Sequence, residues 1–66
     1  MAFGDAQSIL SRLEAVARAR RSGNQRALAA LAIDAQDAMT WGVAQNLISI
    51  AEFNKAKANL RRLVGS

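Results

Sequence analysis

Residues 24–43 read NQRALAALAIDAQDAMTWGV. At the helical advance of about 100° per residue, Leu28, Leu31, Ala32, Ala35, Ala38, Met39, Gly42 and Val43 fall on one broad stripe. A stripe of this kind predicts the core-facing side of an amphipathic helix. The opposite side is only partly polar, because Asp34 and Asp37 are interspersed with Ala30, Ile33 and Trp41. A bundle whose core stripe is already filled offers Ile33 and Trp41 no place inside. Together with Ala30 they form the candidate partner interface, and Trp is among the residues that most often anchor protein contacts.

Toward the N-terminus, Met1 to Gly4 reads as a short arm, with Phe3 placed to pack back onto the first helix. Asp5 is the expected N-cap, since its carboxylate can accept from the first unsatisfied amides and complements the helix dipole. From Ala6 to Arg21 the residues Ala6, Ile9, Leu10, Leu13, Val16 and Ala17 form an apolar stripe, while Ser8, Ser11, Arg12 and Glu14 point away. Glu14 and Arg18 stand four apart in the favourable order for a helical ion pair. Ser22-Gly23-Asn24 then punctuates the pattern, with Gly23 suited to a left-handed helix stop and Asn24 to capping the next helix. So short a connection makes the two helices antiparallel.

Toward the C-terminus two readings compete after Trp41 or Gly42. In the first, Ser49 is an N-cap and Glu52 its capping-box partner, with Ile48 and Phe53 as the flanking hydrophobic staple. Phe53, Ala56, Leu60, Leu63 and Val64 then share one face of a third helix, from Ile50 to Val64, that Gly65 ends. In the second, Gly42 is the sharp corner of a helix-turn-helix. Residues 34–53, DAQDAMTWGVAQNLISIAEF, resemble the helix-turn-helix of phage repressors of the Cro type. Ala38 stands at the small position, Trp41 at the apolar site before the glycine, Gly42 at the turn, Val43 after it, and Ile48 at the buried position of the recognition helix. Asp37 and Ala51 depart from that pattern. The resemblance implies a dimeric DNA-binding regulator in which Ala44, Gln45, Asn46 and Ser49 lie on or near the groove-facing side, Gln45 and Asn46 being suited to bidentate bonds with adenine.

The expected architecture is all-α: a single domain over residues 1–66, built as a small antiparallel bundle of three helices at about 5–21, 25–42 and 49–64. A helical hairpin is the alternative if the last two helices are continuous. An unbroken helix from Gln25 to Val64 would reach roughly 60 Å. At 66 residues a lone core contributes little stability, which makes oligomerisation a common remedy.

Nine Lys and Arg against five Asp and Glu give a formal charge of +4. An up-down-up bundle brings the end of the first helix, the start of the second and the end of the third to one pole. Arg18, Arg20, Arg21, Arg26, Lys55, Lys57, Arg61 and Arg62 are expected there, where they would suit phosphate contacts with nucleic acid. Lys and Arg near helix C-termini also meet the negative end of the dipole, a local reason for their presence. Two basic poles would in turn repel each other and so orient subunits in a homo-oligomer.

Other chemistry is sparse. The chain has no His, Cys or Tyr, so the usual general bases, thiolates and zinc ligands are missing. Asp34 and Asp37, three residues apart, have no further ligand beside them, and no Gly-rich phosphate loop occurs. No enzyme activity, cofactor or metal is expected. The longest uncharged stretch, Ala38 to Ala51, is too short and too polar to span a bilayer, and the last helix lacks the large exposed apolar residues that membrane-surface insertion uses. Nothing in Met1 to Asp5 resembles a signal peptide, so a cytoplasmic location is expected. The leading expectation is a non-enzymatic helical interaction or assembly module that associates with itself and possible protein partners; the alternative is the DNA-binding regulator.

Overall fold

Asp5 starts the first helix as its residue type suggests. Its backbone is extended, and its carboxylate accepts a 2.8 Å hydrogen bond from the Ser8 amide. The computed structural model describes residues 3–65; Met1 and Ala2, the first two residues of the expected arm, lie outside them. Three helices follow: α1 (Ala6–Ser22), α2 (Gln25–Ala44) and α3 (Ile50–Gly65). All three pack against one another, in a body of 34 × 23 × 14 Å. The chain is an all-α three-helix bundle, and the continuous hairpin does not form.

Between α1 and α2 the chain makes a complete Schellman stop. Gly23 adopts φ 73°, its amide donates to the Arg20 carbonyl at 3.2 Å, and the Asn24 amide donates to the Ala19 carbonyl at 3.2 Å. These bonds satisfy carbonyls that a helix end leaves open. Asn24 then caps α2 by accepting from the Ala27 amide at 3.1 Å. The antiparallel register of α1 and α2 shows in two contacts that step up one helix as they step down the other. Gly4 lies against Gly42, and Arg12 pairs with Asp34.

The α2 stripe faces inward as its period requires. Ala35, Ala38, Met39 and Gly42 are buried, and Leu28, Leu31, Ala32 and Val43 pack around them. From α1 come Ile9, Leu13 and Val16, and from α3 Ala56 and Leu60, with Ile48 closing the end of the core.

Several expectations for α1 need correction, among them Ala6, read on the apolar stripe and exposed. Leu10, read as core, is 59% exposed, whereas Ser8, read as solvent-facing, is buried. The buried face is rotated toward Ser8 and Ala19, and just before α1 the Gly4 backbone lies directly against Gly42 and Ala38 of α2. The Ser8 hydroxyl keeps a partner in its buried site, accepting from Arg12 Nη1. Arg12, also read as pointing outward, is a fastener: its Nε donates to Asp34 Oδ2 at 2.9 Å, and its guanidinium lies 4.6 Å from the centroid of the Phe3 ring. It thereby joins the arm, α1 and α2. The ion pair joins two helices, a contact that spacing within α1 does not reveal.

Gly42 also changes role. Rather than a corner, it is an interior, buried residue of α2, which runs on to Ala44. The Gly4 backbone rests directly on it: a Cβ at Gly4 would lie 2.5 Å from the Gly42 nitrogen and 2.7 Å from the Ala38 carbonyl oxygen. Glycine is needed here for backbone approach, not for a turn. The stop comes at Asn46, whose φ of 59° is left-handed. Its amide donates to the Val43 carbonyl at 3.3 Å and the Leu47 amide to the Gly42 carbonyl at 2.8 Å, a second Schellman arrangement with Asn in the glycine position.

Helix α3 opens with the reciprocal capping box. The Ser49 amide donates to Glu52 Oε1 at 2.9 Å, and the Glu52 amide donates to Ser49 Oγ at 3.1 Å. Ile48 is buried and Phe53 packs on the same core, as the staple reading requires. Val64, expected inside, is 43% exposed because it lies at the open rim between α2 and α3.

Candidate interaction surfaces

The outward face of α2 follows from the burial of its other side. With Ala35, Ala38 and Gly42 turned inward, Arg26, Ala29, Ala30, Ile33, Asp37 and Ala44 fall on the solvent side, and all are exposed. Ile33 is 65% exposed and Trp41 49%. The candidate residues Ala30, Ile33 and Trp41 therefore share the outer half of one helix, though not one point on it. Eight positions separate Ile33 from Trp41, about 12 Å along the axis, and Trp41 lies toward the α1 side. Ile33 lies toward α3, at the edge of a groove with Ala32 and Leu60 at its apolar base and Val64 at its rim. Asp37 on the α2 wall faces Lys57 and Arg61 on the α3 wall.

The basic residues divide. Arg20 Nη1 donates to the Arg62 carbonyl at 3.0 Å, tying the end of α1 to the end of α3. A shallow depression lined by Arg20, Gly23, Gln25 and Leu63 joins both to the start of α2. Arg18, Arg20, Arg21, Arg26, Arg61 and Arg62 thus gather toward one end of the bundle. Arg62 also donates to Asn59 Oδ1 at 3.0 Å. Lys55 does not join them. It lies in the second turn of α3, beside Ala6, Ile9 and Leu10 near the start of α1, at the opposite end. Lys57 sits at mid-height with its ammonium 5.7 Å from the Phe53 ring centroid. The expected eight-cation pole is an arginine pole of six, because α1 and α3 run in the same direction and the early residues of both lie at the far end.

Gln45 and Asn46 are not on a helix. Gln45 is the C-cap of α2 and Asn46 the left-handed stop after it, so the pair sits on a tight turn, with Ser49 engaged in the α3 capping box. Their side chains are exposed, but no recognition helix carries them.

Sequence periodicity misses a second exposed apolar group. Leu10 lines a groove between α1 and α3 with Ala6, Ile48 and Ala56, and Leu47 and Ile50, 40% and 70% exposed, occupy the α2–α3 turn and the start of α3. The available signal was the position of Leu10 at the margin of the α1 stripe.

The electrostatics of the turn are local. Glu52 is held below its ordinary carboxyl value of 4.5, first by the hydrogen bond from the Ser49 backbone and then by the Ser49 side chain. Among the described residues no group of three or more His, Cys, Asp and Glu side chains could hold a metal ion, and no helix is long and apolar enough to cross a membrane. No family model, curated protein or solved structure matches this chain.

Proposed function

We propose that this chain is a small, non-catalytic helical assembly module of the cytoplasm that associates with itself through the outer face of α2. The observation that carries this reading is the exposure of Ile33 and Trp41 on the side of α2 opposite a completely filled core stripe. Ile33, with Ala29 and Ala30 exposed beside it, presents a low apolar surface, and Asp37 and Thr40 separate it from Trp41. Burying such surface against a partner removes it from water at about 25 cal/mol per Å², and a bundle with so small a core gains from the partner.

Trp41 is the chain's one tryptophan and reports on its own contact. Its emission is expected to shift to shorter wavelength as concentration rises through the micromolar range. Ile33→Asp, a change at an exposed position, is expected to keep the helical circular dichroism and abolish that shift. Emission fixed at all concentrations, or an undiminished shift in Ile33→Asp, contradicts the proposal.

The arginine pole favours a second reading, contact with the phosphates of a nucleic acid. The gathering of Arg18, Arg20, Arg21, Arg26, Arg61 and Arg62 toward one end supports it, as does the sequence resemblance to Cro-type repressors. With Gln45 and Asn46 on a turn, the phosphate contacts would dominate. Binding would then be strong at low salt and insensitive to base sequence, and each arginine replaced would lower the salt slope by about one. Absence of duplex or single-strand binding at low salt removes this reading.

A further inference from the structure

We propose that two copies pair through α2 in antiparallel orientation, with Arg26 of each copy against the partner's Asp37. This rests on the self-association reading above and gives it an orientation and a register.

Arg26 and Asp37 are eleven positions apart, close to three helical turns at 3.6 residues each. They therefore stand on one side of α2, at opposite ends of an exposed strip whose centre is Ala29, Ala30 and Ile33. Neither side chain forms a hydrogen bond or ion pair with another described residue, whereas Arg12 and Asp34 pair with each other. One end of the strip is thus a cation and the other an anion, the latter on a groove it shares with Lys57 and Arg61. A two-fold axis crossing α2 midway between them sets each Arg26 opposite the partner's Asp37, so that the contact is made twice, as an isologous interface requires. The same operation lays Ile33 over the partner's Ala30 and sets Trp41 beyond the start of the partner's α2, beside the end of its α1. Ala29 and Ala30 leave room for the Ile33 side chain and let the helix axes approach to the near end of the usual 8–10 Å.

The charge of the whole molecule selects this orientation. A parallel pairing would place two arginine poles side by side, in a chain already at +4. The antiparallel pairing sends them to opposite ends, each toward the end of the partner that carries Asp5 and Glu52 with Lys55. Like charges in juxtaposition are costly and fix orientation.

Charge exchange at the two positions tests the register. Arg26→Glu and Asp37→Lys are each expected to raise the dissociation constant by at least about tenfold. Mixed in equal amounts, the two variants are expected to form a heterodimer with wild-type affinity. At one end the introduced carboxylate meets the introduced ammonium; at the other a native Asp37 meets a native Arg26. Sedimentation of each variant and of the mixture, with circular dichroism to establish folding, reads the result. Recovery in the mixture supports the register. Single variants that associate as tightly as wild type, or a mixture no tighter than its components, overturn the register while leaving wild-type self-association standing. A monomeric wild type overturns the self-association reading itself.

Discussion

A methyl group at Gly42 would have to occupy the space of the Gly4 carbonyl. The obstacle is backbone, which cannot rotate aside, so Gly42→Ala is expected to cost about 1–3 kcal/mol through overpacking, despite the better helix propensity of Ala. Removing residues 1–4 should reverse the sign: with the arm gone, the same substitution is expected to stabilise by up to about 1 kcal/mol. Thermal unfolding of the four proteins checks this, and a destabilising Gly42→Ala in the shortened chain contradicts it. Gly42 was legible as a special residue, since glycine inside an apolar stripe is unusual. Which of its two uses applied, turn or close approach, was not legible, because the approaching strand of backbone belongs to a residue far away in sequence. Asn46 shows the converse. A helix stop was written there in an ordinary polar residue, and Asn is one of the few side chains tolerant of positive φ.

At the scale of the element, helix starts were written clearly and helix flanks less so. Asp5, Asn24 and the Ser49–Glu52 box all act within three residues of themselves, so local sequence suffices to find them. The rotation of α1 depends on what the other helices present to it, and its own periodicity carries only part of that information. Glu52 gives α3 a pH response. Its folded-state value is lowered, so the capping contribution is fully present above the ordinary carboxyl range and is lost as pH falls through the lowered value. Loosening at the start of α3 is therefore expected only below about pH 4.5. Glu52→Gln keeps both hydrogen bonds without the charge and should lose that part of the acid dependence. Amide exchange at Ser49 and Glu52, whose amides the box engages, reads the effect as a function of pH, and identical acid profiles in the two proteins would contradict it.

For the whole molecule, charge and apolar surface have been sorted onto different places. Six arginines gather toward the end where α1 and α3 finish, while Ile33 and Trp41 are displayed along the flank of α2. The bundle and its direction could be read from the short connection at Gly23 and the capping box at Ser49. The position of Lys55 could not, because it requires knowing that the early turns of α3 lie beside the early turns of α1. The exposed faces are legible only after the core is known, since Leu10 and Leu13 are the same residue type on one helix and yet are 59% and 9% exposed. Sedimentation equilibrium tests self-association through α2 most directly. Between low and tens of micromolar, the mass is expected to rise from the 7.1 kDa of one chain toward that of two, and to stay at one in Ile33→Asp. A wild-type mass that remains at 7.1 kDa across that range contradicts it.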